Sequence, residues 1–301
     1  MKIEEKYNGM RIDAVVPQIN DKISRSLAQE LIKEGKILLD GKTVKVSSKV
    51  QEGQEIYIPE DTEKDKNEEL IAEDIPIDII YEDEDIIVVN KPKNMVVHPA
   101  VGNRTGTLVN AMLGKSELSS INGEFRPGIV HRLDKNTTGV LVIAKNNFAH
   151  NNIAKQIQDR KTKKIYVALV KGIIKEDNGV INLPIGRHPN DRKKMAVVKD
   201  GKEAHTNFKV LKRFEEGYTL VEIELKTGRT HQIRVHMSHI GYPVVGDDVY
   251  SSGKNPFGVT SQMLHARTLG FVHPTKNEYM EFEAPIPKEF NEVIGKLKEI
   301  K

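Results

Sequence analysis

The segment Arg126-Pro127-Gly128-Ile129-Val130-His131-Arg132-Leu133-Asp134-Lys135-Asn136-Thr137-Thr138-Gly139 sets an imidazole, a guanidinium and a carboxylate within four residues. They stand in a polar turn just ahead of the apolar run Val140-Leu141-Val142-Ile143-Ala144. A rigid strand can hold such a loop residue at a cleft, which makes Asp134 a candidate reactive group. Arg132 could contact phosphate or fill a hole in a base stack. The bland alternative is an Asp that closes an Asx-turn with Asn136 or Thr137.

Other chemistries find little support. There are no cysteines, which excludes disulfides, Cys-ligated zinc, iron–sulfur clusters and thiol nucleophiles. No Gly-x-Gly-x-x-Gly follows a strand, so a Rossmann-type cofactor site is unsupported. Gly114-Lys115-Ser116 looks like the end of a phosphate loop, but Val109 stands where its first glycine belongs. His231, His236 and His239 invite a metal, yet on a helix only His236 and His239 share a face. No carboxylate lies at matching ligand spacing, so no metal and no cofactor are expected.

The elements around these residues define two expected units. The first runs over about residues 10–58. Residues 24–32 read as a helix that Ser24 or Ser26 can cap and that a left-handed Gly35 can end. Asp40-Gly41 between short apolar segments signals a hairpin, because both turn residues tolerate positive φ. Residues 50–58 add a short strand. Residues 59–76 read as an acidic linker. The second unit fills residues 77–301, with strands expected at 86–90, 140–144, 166–170 and 218–225 and helices at 147–158 and 230–240. Strands alternate with helices, though not in regular βαβ units, so the expectation is an α+β fold on a mixed, mainly antiparallel sheet.

The chain has 301 residues, 38% hydrophobic and 30% charged, enough for a sizeable core. No apolar run approaches a membrane span and the N-terminus lacks a signal-peptide core, so a cytoplasmic protein is expected. The net charge of +3 conceals a segregation. Residues 60–85 hold 13 acidic residues and two lysines, a net of −11, which leaves +14 on the remainder. Residues 187–213 alone carry nine Lys or Arg against three acids. Basic surface concentrated in this way suits a polyanion, although solvated loops would look the same.

Two resemblances sharpen the reading. Arg11-Ile12-Asp13, Ser24-Arg25-Ser26, residues 32–37, Asp40-Gly41 and residues 50–56 together resemble the S4 RNA-binding domain. His131-Arg132-Leu133-Asp134 followed by Thr138-Gly139 resembles the central motif of the RluA-type pseudouridine synthases. Lys163-Lys164-Ile165-Tyr166 is similar to that family's tyrosine motif. Thr227-Gly228-Arg229-Thr230-His231-Gln232-Ile233-Arg234 is similar to its arginine motif. Asn90-Lys91-Pro92, Val97-His98-Pro99 and Leu264-His265-Ala266 also fit. With an S4 module in front, the nearest resemblance is to the RluD-type enzymes of large-subunit ribosomal RNA.

The resemblance implies a small S4-like helix–hairpin domain, a pseudouridine-synthase-type domain, and isomerisation of selected uridines in ribosomal RNA. It implies Asp134 as the catalytic carboxylate, Arg229 as its guanidinium partner and Tyr166 as the group that stacks on uracil and takes the C5 proton. His131, Arg132, Ile233 and Leu264 would bind substrate, and Arg25 and Ser26 would contact RNA from the first unit. A monomer that works on ribosomal RNA or a ribosomal subunit is the expected assembly. Two other readings remain: a non-catalytic RNA-binding assembly factor, and a metal hydrolase built on the His231 region. A pure binder has no need of a carboxylate that would repel phosphate.

Overall fold

The structure is a computed structural model that describes residues 1–20, 23, 25–59, 70–99, 103–121, 126–191, 194–252 and 256–300. It divides into two compact units, Met1–Glu69 and Leu70–Lys301.

The first unit packs α1 (Ile12–Ile19) and α2 (Arg25–Lys33) with a small antiparallel sheet of β1 (Leu38–Leu39), β2 (Lys42–Thr43) and β3 (Ile56–Tyr57), in the order β2-β1-β3. The hairpin turn is at Asp40-Gly41, both at positive φ (51° and 72°) as a tight primed turn requires. Gly35 ends α2 at φ 72°. Of the strand expected over residues 50–58 only Ile56–Tyr57 pairs with β1, while Glu55 bridges Lys2 at the N-terminus. Helix α1 contains Pro17, which discourages a helical reading. Its Ile12, Val15 and Val16 nevertheless fall at helical spacing and are buried in the unit's core with Ile23, Ala28 and Ile32. Ser24 lies outside the described residues, and Ser26 is described only by its place in α2, so neither expected role is addressed. Asp13 is fully buried and accepts from Arg11, Arg25 and Gln29. Arg11 holds its carboxyl down at about 2, with Gln29 and Arg25 adding to the effect against burial.

In the second unit β4 (Asp78–Glu82), β5 (Ile86–Lys91), β6 (Thr138–Ala144), β7 (Lys163–Lys171), β8 (Asn178–Asn182), β11 (His205–Phe214), β12 (Tyr218–Leu225), β13 (Leu264–Val272) and β14 (Tyr279–Glu283) form one sheet. Its order is β4-β5-β6-β13-β7-β12-β11-β8, with β14 also on β13. Only the β6–β13 pairing among these is parallel, so the sheet is mixed and mainly antiparallel, as the sequence leads one to expect. β9 (Ile185–Arg187) and β10 (Met195–Val197) make a separate hairpin. The helices are α3 (Leu108–Leu113), α4 (Asn147–Gln158), α5 (Gln232–His239) and α6 (Lys288–Ile294).

The central strands β5, β6 and β7 are buried almost throughout, which explains why they read as continuous apolar runs rather than alternations. Residues 70–76, expected as linker, join this unit. Leu70 and Ile75 pack on its core, Glu73 N donates to Asn110 O, and the Asn110 amide donates to Ile71 O. The remaining linker residues 60–69 lie outside the described ones. No described helix is long and apolar enough to cross a membrane.

Candidate active site

Asp134 sits in the short loop ahead of β6, and that loop is pinned from several sides. Thr137 N donates to the backbone carbonyl of Asp134 at 3.1 Å, an ordinary β-turn that leaves the side-chain carboxylate free of the expected Asx-turn. The fully buried Lys91 at the end of β5 donates to Pro92 O, Met95 O and Lys135 O. Burial pushes its ammonium down to about 7 against the pull of Asp134. Gly139, at φ 117°, lets β6 meet β13: a Cβ there would lie 2.1 Å from the carbonyl oxygen of Ala266. No other residue type fits that junction.

The Asp134 carboxylate keeps 19% of its surface and opens on a cavity of about 430 Å³. Its Oδ2 accepts from Arg234 Nη1 at 3.1 Å. Arg234, on α5, is 5% exposed and donates its remaining edge to Asp247, Nε to Oδ2 at 2.7 Å and Nη2 to Oδ1 at 3.0 Å. Asp247 is wholly buried and also accepts from the backbone N–H groups of Val249 and Tyr250. Burial opposes ionisation of both partners. Their mutual hydrogen bonds and charge outweigh it, so the Asp247 carboxyl lies below its ordinary range and the Arg234 guanidinium above its own. The result is a bidentate fork, fixed from behind, that aims one N–H at Asp134.

Tyr166, on β7, presents its ring to the same cavity. Burial, and then the charge of Asp134, raises its hydroxyl above the usual phenol range. Ile233 and Leu264 are buried and line the cavity beside it, with Leu269 and Phe271 of β13. An apolar wall facing a few aimed polar groups is the usual form of a small-ligand site.

His131 lines the cavity too, but its Nε2 accepts from Val142 N at 3.1 Å. Burial, helped by Lys164, pushes it down to about 3, so it is a neutral strut of the loop. Arg132 is exposed at the cavity edge. His231 takes a left-handed conformation (φ 57°) at the start of α5. Its Nδ1 lies 2.9 Å from Tyr250 Oη, and its Nε2 lies 3.9 Å from Asp134 Oδ2. His236 instead spans Thr206 Oγ1 and Leu183 O, both at 2.9 Å, so both its ring nitrogens are engaged in structure.

Arg229 needs a correction. It borders the cavity, but its Nε donates to Glu203 O at 2.9 Å, and the guanidinium that reaches Asp134 is that of Arg234. Buried Gln232 explains this. Its amide oxygen accepts from Thr227 Oγ1 and Arg229 N, while its amide nitrogen donates to His205 O and Thr206 Oγ1. The loop carrying Arg229 is thereby tied to the β11 side, and α5 starts only at Gln232 and turns Arg234 inward. Two arginines five apart in one motif give no spacing signal for which faces the carboxylate. Asp247 was missed altogether, and an acid after Val244-Val245-Gly246 in an apolar stretch was its one available signal. Arg25, in the first unit, leaves 57% of its side chain exposed while bonding Asp13.

A strand-held carboxylate, a buried arginine fork and a tyrosine over an apolar pocket, on a sheet of this order, define an enzyme site for a flat, polar-edged ring. The comparisons agree. Residues 85–239 match the family model for RNA pseudouridylate synthase, and residues 10–56 match the S4 domain. The chain belongs to the RNA pseudouridylate synthase family and carries an S4 domain ahead of its catalytic unit. It is 46% identical to an uncharacterised RNA pseudouridine synthase, YlyB, of Bacillus subtilis, over 98% of this chain and 96% of that one. It is 42% identical to the ribosomal large subunit pseudouridine synthase D of Pseudomonas aeruginosa, over 98% and 94%. Among solved structures, human RNA pseudouridylate synthase domain containing 1 superposes with a TM-score of 0.61 at 28% identity, covering 75% of this chain and 89% of that one. The chain is an isomerase that makes pseudouridine in RNA.

Proposed function

We propose that the substrate is large-subunit ribosomal RNA and that the flipped uridine enters the cavity between Tyr166 and Asp134. The observation that carries this reading is the Asp134–Arg234–Asp247 chain at the cavity mouth. It is supported by the full-length similarity to enzymes named for that RNA.

The reaction breaks the bond from ribose C1′ to uracil N1, turns the base and joins C1′ to C5. N1 gains a proton and C5 loses one, so the product is an isomer and the atoms balance without an external reagent. Asp134 acts on the sugar or the base, by attack or by taking the C2′ proton. Arg234 holds its direction. Tyr166 stacks on the uracil, and its neutral hydroxyl takes the C5 proton as it hands its own to water, while N1 draws its proton from water. Ile233 and Leu264 form the apolar wall, and Arg132 enters the gap left by the base or clamps the adjoining phosphate. Unstacking the target costs a few kcal/mol and is least in loops and single strands. The S4 unit, with Arg25 on its surface, adds affinity for RNA backbone, and the enzyme acts as a monomer in the cytoplasm.

The test uses ribosomal RNA from cells lacking this protein. Wild type and Asp134→Asn are incubated with it in EDTA, and pseudouridine is mapped chemically. New pseudouridines in large-subunit RNA with wild type and none with the variant are expected. Modification of another RNA class alone would reject the substrate assignment. An active Asp134→Asn would reject the role of the carboxylate.

A further inference from the structure

Six Arg or Lys residues border the cavity among the described residues, against one acid, Asp134. Most are already engaged. Arg234 is held by Asp134 and Asp247. Arg160 forms a two-point pair with Glu203 at 3.1 and 2.6 Å, Lys226 is on Glu224, and Arg132 is at the open edge. Lys164 differs. It is only 9% exposed, it borders the cavity, and no described carboxylate or hydrogen-bond acceptor meets its ammonium. Its Nζ is not among the polar atoms closed off from solvent, so the aliphatic stem is buried while the ammonium stays open to an anion in the cavity.

A second group at the same place lacks a partner. Thr162 is 8% exposed and its Oγ1 is buried without any hydrogen bond. Lys164 and Tyr166 alternate along β7 and share a face, Thr162 stands in the bend just ahead of the strand, and all three line the cavity. Lys164 lies roughly 7 Å along the strand from Tyr166, about the reach from a base to its own backbone. The cations Arg160, Arg229 and Lys226 add a positive field at this end; after burial itself, they are what push the Lys164 ammonium below its usual range.

We propose that Lys164 and Thr162 form a phosphate subsite that takes a backbone phosphate next to the flipped uridine, with Lys226 and Arg229 at its rim. The subsite rests on the cavity being the uridine site. Charge-assisted bonds from the ammonium hold the phosphate, and the unpartnered Thr162 hydroxyl gains a partner by rotating toward it.

Mononucleotides test this without catalysis. Binding of uridine 5′-monophosphate, uridine 3′-monophosphate and uridine to the full chain is measured by NMR at low ionic strength. At least one monophosphate is expected to bind about tenfold tighter than uridine, from charged hydrogen bonds each worth roughly 1.5 kcal/mol or more. That preference is expected to fall to threefold or less in Lys164→Met and to shrink in Thr162→Val. The preferred isomer tells whether the 5′ or the 3′ phosphate is held. The melting midpoint of Lys164→Met is expected to stay at or above wild type, because Met keeps the buried aliphatic stem and no ion pair is lost. Equal binding of uridine and both monophosphates, or a preference that survives in Lys164→Met, overturns the subsite. Should wild type prefer a monophosphate yet make no pseudouridine in ribosomal RNA, the substrate reading fails while the subsite stands.

Discussion

Replacing Asp247 by Asn is the most discriminating perturbation of this site, because Asp247 touches no substrate-facing group except Arg234. Its Oδ1 is surrounded by three donors, Arg234 Nη2 at 3.0 Å, Val249 N at 2.9 Å and Tyr250 N at 3.0 Å. In Asp247→Asn that position must remain oxygen, so the new amide nitrogen faces Arg234 Nε, now 2.7 Å from Oδ2, donor against donor. Breaking a buried ion pair from one side costs about 3–5 kcal/mol. Asp134 remains as a counter-charge, so the lower figure applies. For a unit of this size each kcal/mol is worth roughly 2–4 °C in melting midpoint, which gives a fall of about 6–12 °C. Arg234 must tilt away from the amide, and a shift of about 1 Å at Asp134 costs on the order of a hundredfold in rate. The assay is single-turnover pseudouridine formation at a temperature where the variant is fully folded, with RNA affinity measured in parallel. A loss in kcat with KM unchanged is expected. A rate within about threefold of wild type, or a defect confined to KM, refutes the view that Asp247 acts through Arg234.

Arg234→Lys retains the charge, but one ammonium cannot replace three aimed N–H bonds; we expect at least a hundredfold slower turnover, on the order of a 1 Å misplacement, and a rate near wild type would remove the fork from the mechanism. Tyr166→Phe keeps the ring and its packing, so a fall of about 10²–10⁴ in kcat with intact RNA binding is expected if the hydroxyl takes the C5 proton, and undiminished turnover would exclude that step. Gly139→Ala forces a Cβ onto the Ala266 carbonyl at 2.1 Å and should destabilise the second unit by about 3 kcal/mol or more, read as a loss of soluble, cooperatively melting protein; a wild-type melting curve would contradict the geometry of the β6–β13 junction. Burial holds His131 at about 3 and His98 at about 4, whereas both take up protons near 6.5 when unfolded. Below 6.5 the unfolded chain therefore binds more protons than the native one, so stability present above that pH drains away as pH falls toward 4, and a melting midpoint constant from pH 7 to 4 would refute it.

Much of this enzyme could be read from the chain before any coordinates. Apolar runs at residues 86–90 and 140–144 became buried strands because a central strand covered on both faces has to be apolar throughout. Asp40-Gly41 became the hairpin because few dipeptides accept two positive φ angles. The Asp134 loop was legible through its resemblance to a family motif, because a polar turn before a strand reads equally well as an Asx-turn. Elements whose stability comes from partners were not legible in this way. Helix α1 contains a proline and forms because Ile12, Val15 and Val16 find the core of the first unit. The expected strand over 50–58 is split between two partners, Ile56–Tyr57 on β1 and Glu55 on Lys2. The linker loses its last residues to the catalytic unit because Asn110 supplies the hydrogen bonds that Ile71 and Glu73 need.

The sequence by itself determined the family and the division into two units and singled out Asp134 as the candidate acid, since each is carried by local motifs with fixed internal spacing. Tertiary structure alone decided which arginine serves that acid. Arg229 and Arg234 are chemically alike and five residues apart, and the choice between them is made by Gln232 anchoring one loop to β11 and by Asp247 receiving the other guanidinium. Those partners come from segments 26 residues before and 13 residues after the two arginines, counted from the nearest contact in each case. A one-dimensional pattern records residue types and their distance along the chain. It does not record which buried group, brought back by the fold, makes a charge affordable at one position and leaves it in solvent at another.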